Sequence, residues 1–69
     1  MIVHVNGKAL RVDDGATVTM VLASLDVGPA RRGLAVAVDA EVVPRGSWDE
    51  HALAEGARIE LLTAIQGGA

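Results

Sequence analysis

Cysteine is absent from this 69-residue chain, as are phenylalanine and tyrosine, and Trp48 is the one aromatic residue. Without cysteine there are no disulfides, no thiol nucleophile, and no thiolate-held zinc or iron–sulfur cluster. A cysteine-free small domain fits the reducing cytoplasm. Without other aromatics, the core has to be built from Val, Leu, Ile and Ala. Basic residues are also few: six Lys and Arg against nine Asp and Glu, a net charge of −3. A domain that holds nucleic acid through its phosphates needs clustered Lys and Arg, so that class is set aside. A basic protein partner remains compatible. No apolar run approaches membrane-spanning length, so no membrane partner is expected. The N-terminus lacks the basic-then-apolar layout of a signal peptide. No internal repeat, linker or low-complexity segment interrupts the chain.

The hydrophobic fraction, at 51%, is ample for one small globular domain and too high for a disordered chain. So short a chain buries a small core and holds modest stability. Ile2 to Asn6 alternates, with Val3 and Val5 facing one way and Ile2 and His4 the other. Asn6-Gly7 is a strong two-residue hairpin signal, because both central positions of a type I′ turn need positive φ. Lys8 to Val12 then returns as a second strand, with Leu10 and Val12 inward, and Asp13-Asp14-Gly15 ends it. Thr17 is placed to cap a helix through its hydroxyl. Val18, Val21, Leu22 and Leu25 recur at helical spacing and make one apolar stripe. Asp26, Gly28 and Pro29 stop the helix after two to three turns. Its β-branched residues give poor intrinsic helix propensity, so docking of the stripe onto a sheet has to hold it.

Leu34 to Val38 is apolar on both faces, the mark of an interior strand with the helix over one side and thin cover on the other. Asp39-Ala40-Glu41 turns the chain, and Val42-Val43 runs back until Pro44, which cannot donate a ladder hydrogen bond and confines this strand to an edge. Ser47-Trp48-Asp49-Glu50 has the pattern of a capping box opening a single helical turn, with Ser47 as the cap. Trp48 is expected to lie over the end of the sheet as a lid. Glu55-Gly56 turns into the last strand, Arg58 to Ile65, with Ile59, Leu61 and Thr63 on one face and Arg58, Glu60 and Leu62 on the other. The expected core is Val3, Val5, Leu10, Val12, Val18, Val21, Leu22, Leu25, Val36, Val38, Ile59 and Leu61.

Little in the chain is equipped for chemistry. His51 has no Cys, carboxylate or second His at a ligand spacing, and His4 lies far off in sequence. The carboxylates stand at turns, caps and strand surfaces, and no pair occupies an apolar stretch as a general acid and base would. Arg31-Arg32, the one basic pair, reads as a solvated loop. No phosphate-cradling glycine loop occurs, and no nucleophile sits beside a base. What stands out is the end of the sequence. Side-chain bulk stops after Ile65, and Gly67-Gly68 make a backbone thin enough to enter a narrow channel.

A hairpin, a crossover helix, two further strands, a helical turn and a last strand build a mixed sheet of four to five strands with one helix on one face. The class is α+β. In the ubiquitin-like β-grasp form of this arrangement, the first and last strands pair in the centre. Residues 1–65 then form the β-grasp domain and residues 66–69 a flexible C-terminal tail leaving from the middle of the sheet. Val5-Asn6-Gly7, Gly15-Ala16-Thr17-Val18, Ala35-Val36-Ala37-Val38, Val42-Val43-Pro44-Arg45 with Ser47-Trp48 close behind, and the run from Arg58 to Gly68 carry a resemblance. Over nearly its whole length the chain resembles the ThiS family of thiamine-biosynthesis sulfur carriers. The Val-Val-Pro-Arg stretch with its nearby Trp, together with Gly-Gly, makes this fairly specific, whereas Gly-Gly alone would not.

The resemblance implies a protein cosubstrate rather than an enzyme. In that family an E1-like adenylyltransferase uses ATP to adenylate the terminal glycine carboxylate. Sulfur, supplied by a donor such as a cysteine desulfurase, replaces the adenylate, and the thiocarboxylate gives its sulfur to thiazole synthase. No cofactor is expected to be bound, ATP being used by the activating partner. Carried over, the modified residue is Gly68, the threading residues are Gln66 and Gly67, and Leu62, Ala64 and Ile65 are the docking residues. The chain departs from the family pattern at Ala69: while it is present, Gly68 carries a peptide bond and no carboxylate. Sibling carriers for molybdopterin or cysteine synthesis share the β-grasp and the Gly-Gly end, and a non-catalytic β-grasp binding module is the alternative from another class.

Overall fold

The computed structural model describes residues 1–27 and 33–63. Strand β1 (Ile2–Val5) turns through Asn6 and Gly7 into β2 (Lys8–Arg11). Helix α1 (Val18–Ser24) follows, then β3 (Leu34–Val38), β4 (Glu41–Val43), a 3-10 turn at Arg45–Ser47, and β5 (Arg58–Thr63). The sheet has five strands in the order β2-β1-β5-β3-β4. β1 and β5 run parallel at its centre, with His4 opposite Arg58 and Val5 opposite Ile59, while the other pairings are antiparallel. This is the mixed β-grasp sheet with a single helix that the element order predicted.

Local chemistry explains each boundary of α1. At its start the Thr17 hydroxyl accepts from Met20 N at 3.3 Å, satisfying one of the amide groups that a first helical turn leaves without an intrahelical partner. Two more are taken by carbonyls of a distant loop: Val18 N donates to His51 O at 3.2 Å and Thr19 N to Trp48 O at 3.3 Å. The Thr19 hydroxyl also donates to the Asp49 carboxylate. The helix ends in a Schellman arrangement. Asp26 takes the left-handed position (φ +61) where glycine is commonest, Asp26 N donates to Ala23 O at 3.1 Å and Val27 N to Leu22 O at 2.9 Å. The helix is short, and its inward residues Val18, Val21 and Leu22 are buried.

The core lies between this helix and one face of the sheet. Val3, Val5, Val18, Val21, Leu22, Val36, Val38 and Ile59 are buried, as expected. Leu10, Val12, Leu25 and Leu61 pack against that core but are only partly covered. They stand at the outer strand, the helix end and the far end of β5, where the short helix no longer reaches across the sheet.

The segment after β4 turns twice. A 3-10 turn at Arg45–Ser47, which follows Pro44 and has no side-chain cap, was not expected; the single turn expected to open at Ser47 follows it, with Ser47 O accepting from Glu50 N at 3.1 Å and from His51 N at 2.9 Å. Pro44 presets the entry into the 3-10 turn through its fixed φ, so the first turn begins before Ser47 is reached. Trp48 is not a lid. It is 2% exposed, and its indole N–H donates to Val43 O at 2.8 Å. The ring therefore fills the core while its polar atom is satisfied by the edge strand. Arg45 stacks on the ring, with Cζ 4.7 Å from the centroid. β2 is also one residue shorter than expected, ending at Arg11.

Candidate functional site

β5 is the element around which a site can be built. Its alternation sends Ile59 into the core and leaves Arg58, Glu60 and Leu62 exposed on the open face of the sheet. Register then decides which neighbours join them. Leu62 stands opposite Ala35, Glu60 opposite Ala37, and Ala37 opposite Val42 on the edge strand. Leu62 is 60% exposed and Val42 is 71% exposed. With the small Ala35 and Ala37 between them, they form an apolar strip across β5, β3 and β4, on the side away from α1. On the other flank of β5 the same face is polar: His4 lies opposite Arg58 and Ala9 opposite His4, while Ile2 lies opposite Arg11.

The first residues of β5 are held from both sides. Asp39, in the β3–β4 turn, accepts Arg58 N through Oδ1 at 3.0 Å and donates its own N–H to Arg58 O at 2.7 Å. Asn6, in the β1–β2 turn, accepts Leu61 N through Oδ1 at 2.9 Å. Between the two turns lies an open, shallow groove of about 750 Å³ lined by His4, Asn6, Asp39, Arg58 and Glu60 among others. Among the described residues no ionisable side chain is buried, and no cluster of His, Asp or Glu has the placement to hold a metal ion. What these residues offer is a rigid central strand beside an exposed apolar strip. Such a face is suited to contact with another protein. It has none of the buried, convergent polar groups of a catalytic pocket.

The amino-acid sequence matches the model of the ThiS family over residues 3–68. The chain belongs to the ThiS family of sulfur carriers. It is 36% identical over 63 residues to the Sulfur carrier protein ThiS of Escherichia coli (strain K12), an alignment covering 91% of this chain and 92% of that protein. The fold agrees. The crystal structure of the thiamine biosynthesis protein ThiS from Geobacter metallireducens superposes with a TM-score of 0.81 at 33% identity, covering 99% of this chain and all of that one. The solution structure of a thiamine biosynthesis protein from the same organism gives a TM-score of 0.75 at 32% identity, covering 100% of this chain and 90% of that one. A ThiS-family chain is a carrier, not an enzyme, and works with sulfur-transfer partners. No described helix is long and apolar enough to cross a membrane.

Among the residues expected at the site, Leu62 stands on the open face beside Ala35. Ala64, Ile65, Gln66, Gly67 and Gly68 lie outside the described residues, as do the expected mobility of the tail and the Arg31-Arg32 pair. Val42 and Ala35 were not anticipated at the site. Their signal is the cross-strand register, which places Ala35 beside Leu62 and Val42 beside Ala37 and which a single sequence does not contain.

Proposed function

We propose that the protein carries sulfur as a C-terminal thiocarboxylate for thiazole formation in thiamine biosynthesis, in the cytoplasm. The observation that supports this most directly is the central position of β5. The strand that leads to Gly67-Gly68 is braced by a neighbour on each side and exposes Leu62 next to the apolar strip. In this reading an E1-like adenylyltransferase docks on Leu62, Ala64 and Ile65, with Ala35 and Val42 extending the contact. Gln66 and Gly67 pass through its channel to ATP. A carboxylate is a poor electrophile until one oxygen becomes a good leaving group. Hydrolysis of the Gly68–Ala69 peptide bond first frees the Gly68 carboxylate; one of its oxygens then attacks the α-phosphorus of ATP, pyrophosphate departs, and the acyl-adenylate forms. The persulfide sulfur of a donor such as a cysteine desulfurase then displaces AMP, a thiol reductant cleaves the resulting acyl disulfide to leave the thiocarboxylate, and thiazole synthase receives the sulfur.

The reactive carboxylate in this account belongs to Gly68. In-line attack fails with displacements on the order of 1 Å, and an added Ala69 moves the terminal carboxylate by up to roughly 3.5 Å. It also adds a methyl group where the channel is shaped for glycine. The test uses two forms, one ending at Gly68 and one at Ala69, each incubated with the cognate adenylyltransferase, ATP and a sulfur donor. Intact-mass spectrometry reads the acyl-adenylate and the exchange of oxygen for sulfur. The form ending at Gly68 reacts and the form ending at Ala69 does not. Equal reaction of both overturns the length argument. Reaction of neither with a demonstrably active enzyme points to the sibling pathways or to a binding module.

A further inference from the structure

β1 stops supporting β5 before β5 itself ends. The parallel ladder between them advances two residues at a time: His4 N donates to Ala57 O at 2.8 Å and Asn6 N to Ile59 O at 2.9 Å. Continued, the ladder would pair the main-chain carbonyl of residue 6 with Leu61 N, and N–H of residue 8 with Leu61 O. The register between the strands nevertheless ends with Val5 opposite Ile59. The backbone turns away at Asn6 (φ +49) and Gly7 (φ +86), and Lys8 already belongs to β2.

The Asn6 side chain fills the gap. Its Oδ1 accepts from Leu61 N at 2.9 Å, and its Nδ2 donates to Leu61 O at 3.4 Å. A carboxamide carries the same donor and acceptor as a peptide group, so one side chain stands in for rungs the backbone does not supply. Asparagine meets both demands of the position. Asn tolerates the left-handed backbone of the turn, and its amide is both donor and acceptor at the required reach. Aspartate would keep the acceptor and lose the donor, and glycine would keep the turn and lose both. Beyond Leu61, the pairings of β5 are with β3, at Ala35–Leu62 and Leu34–Thr63.

We propose that Asn6 is a positioning residue for activation of the chain end: its carboxamide extends the β1–β5 ladder to Leu61 and so fixes the direction of β5 where it hands over to the reactive segment. The proposal rests on the carrier reading. Docking through Leu62 is set by β3 and does not depend on Asn6. Loss of the carboxamide therefore lowers the rate of the bound complex more than it weakens its formation.

The test compares Asn6→Gly, Asn6→Asp and Asp39→Gly with the wild type, all ending at Gly68. Asp39→Gly is the control, since it removes a comparable side-chain clamp on β5 at its other end, Arg58, and also leaves glycine at a positive-φ turn position. Hydrogen exchange at the Leu61 amide, the denaturation midpoint and steady-state pyrophosphate release with the cognate adenylyltransferase are measured for each. Asn6→Gly should speed Leu61 exchange and lower kcat about tenfold, with KM changed less than about twofold. Asn6→Asp should recover part of kcat through its retained acceptor, and Asp39→Gly should keep the wild-type kcat. An unchanged kcat in Asn6→Gly, or an equal loss in Asp39→Gly, overturns the positioning role while leaving the carrier reading intact. A wild type that an active enzyme does not turn over overturns both. Should Asn6→Gly fail to fold, Asn6→Asp decides, and a wild-type kcat there overturns the proposal.

Discussion

Ala40 occupies a backbone conformation that its side chain disfavours. It sits at φ +71, directly after Asp39 at φ +51, as the second residue of the tight turn between β3 and β4. Left-handed backbone suits this two-residue hairpin because its twist matches that of the strands, but a β-carbon there costs about 1–2 kcal/mol. Asp39 gains something in return, since its carboxylate accepts the Arg58 amide. Ala40 has no polar side chain with which to do the same. Ala40→Gly is therefore expected to stabilise the protein by up to about 1 kcal/mol, after the greater flexibility of glycine in the unfolded chain is counted. Chemical denaturation checks this, and a midpoint lower than that of the wild type would sink it.

At the scale of the elements, the open face of the sheet joins the residues of three strands into one surface. Leu62 from β5, Ala35 and Ala37 from β3 and Val42 from β4 share it because antiparallel partners point the same way. Leu62→Gln removes apolar surface there without adding charge. Stability should change by no more than about 0.5 kcal/mol, because the side chain is already exposed. KM for adenylation should rise about tenfold, corresponding to some 1.4 kcal/mol of lost docking. Steady-state kinetics decide it, and an unaltered KM removes this strip from the docking surface. Half of that strip was readable beforehand. The alternation of β5 marked Leu62 as outward, but Val42 reads simply as a strand residue until register sets it across from Ala37. β1, the Asn-Gly turn, the Thr17 cap and the apolar stripe of α1 were equally legible, since each is a local pattern. The stretch from Trp48 to Ala57 was not. Leu53 and Ala57 are buried although no period runs through them. They are held by distant partners, such as Leu53 N on Ala16 O and the bridge between Thr17 and Ala52. Trp48 likewise points inward because Val43 O is there to meet its indole.

For the whole molecule, the small aliphatic core leaves little margin. A domain of this length holds on the order of 3–10 kcal/mol of stability. Leu22 is fully buried where α1 meets the sheet, and truncation there leaves a cavity so short a helix is poorly placed to close. Leu22→Ala is expected to cost about 2–5 kcal/mol, a large part of the total. The emission of Trp48, buried and unique in the chain, reports the transition without any added label. A loss below about 1 kcal/mol would mean that the helix docks through other residues.

The sheet order also governs when the protein becomes a folded object during its synthesis. The hairpins β1–β2 and β3–β4 are each complete early, yet each keeps one side unpaired until β5 arrives between them. β5 bonds to β1 across more than fifty residues of intervening chain, with Asn6 and Leu61 being 55 apart, and contacts of such long range form slowly. A nascent chain stopped before Arg58 therefore offers two open strand edges to aggregation and proteolysis. Closure of the sheet requires that β5, its central strand, has been made. Without its central strand the sheet stays open, and the chain remains a substrate for proteases rather than a folded body.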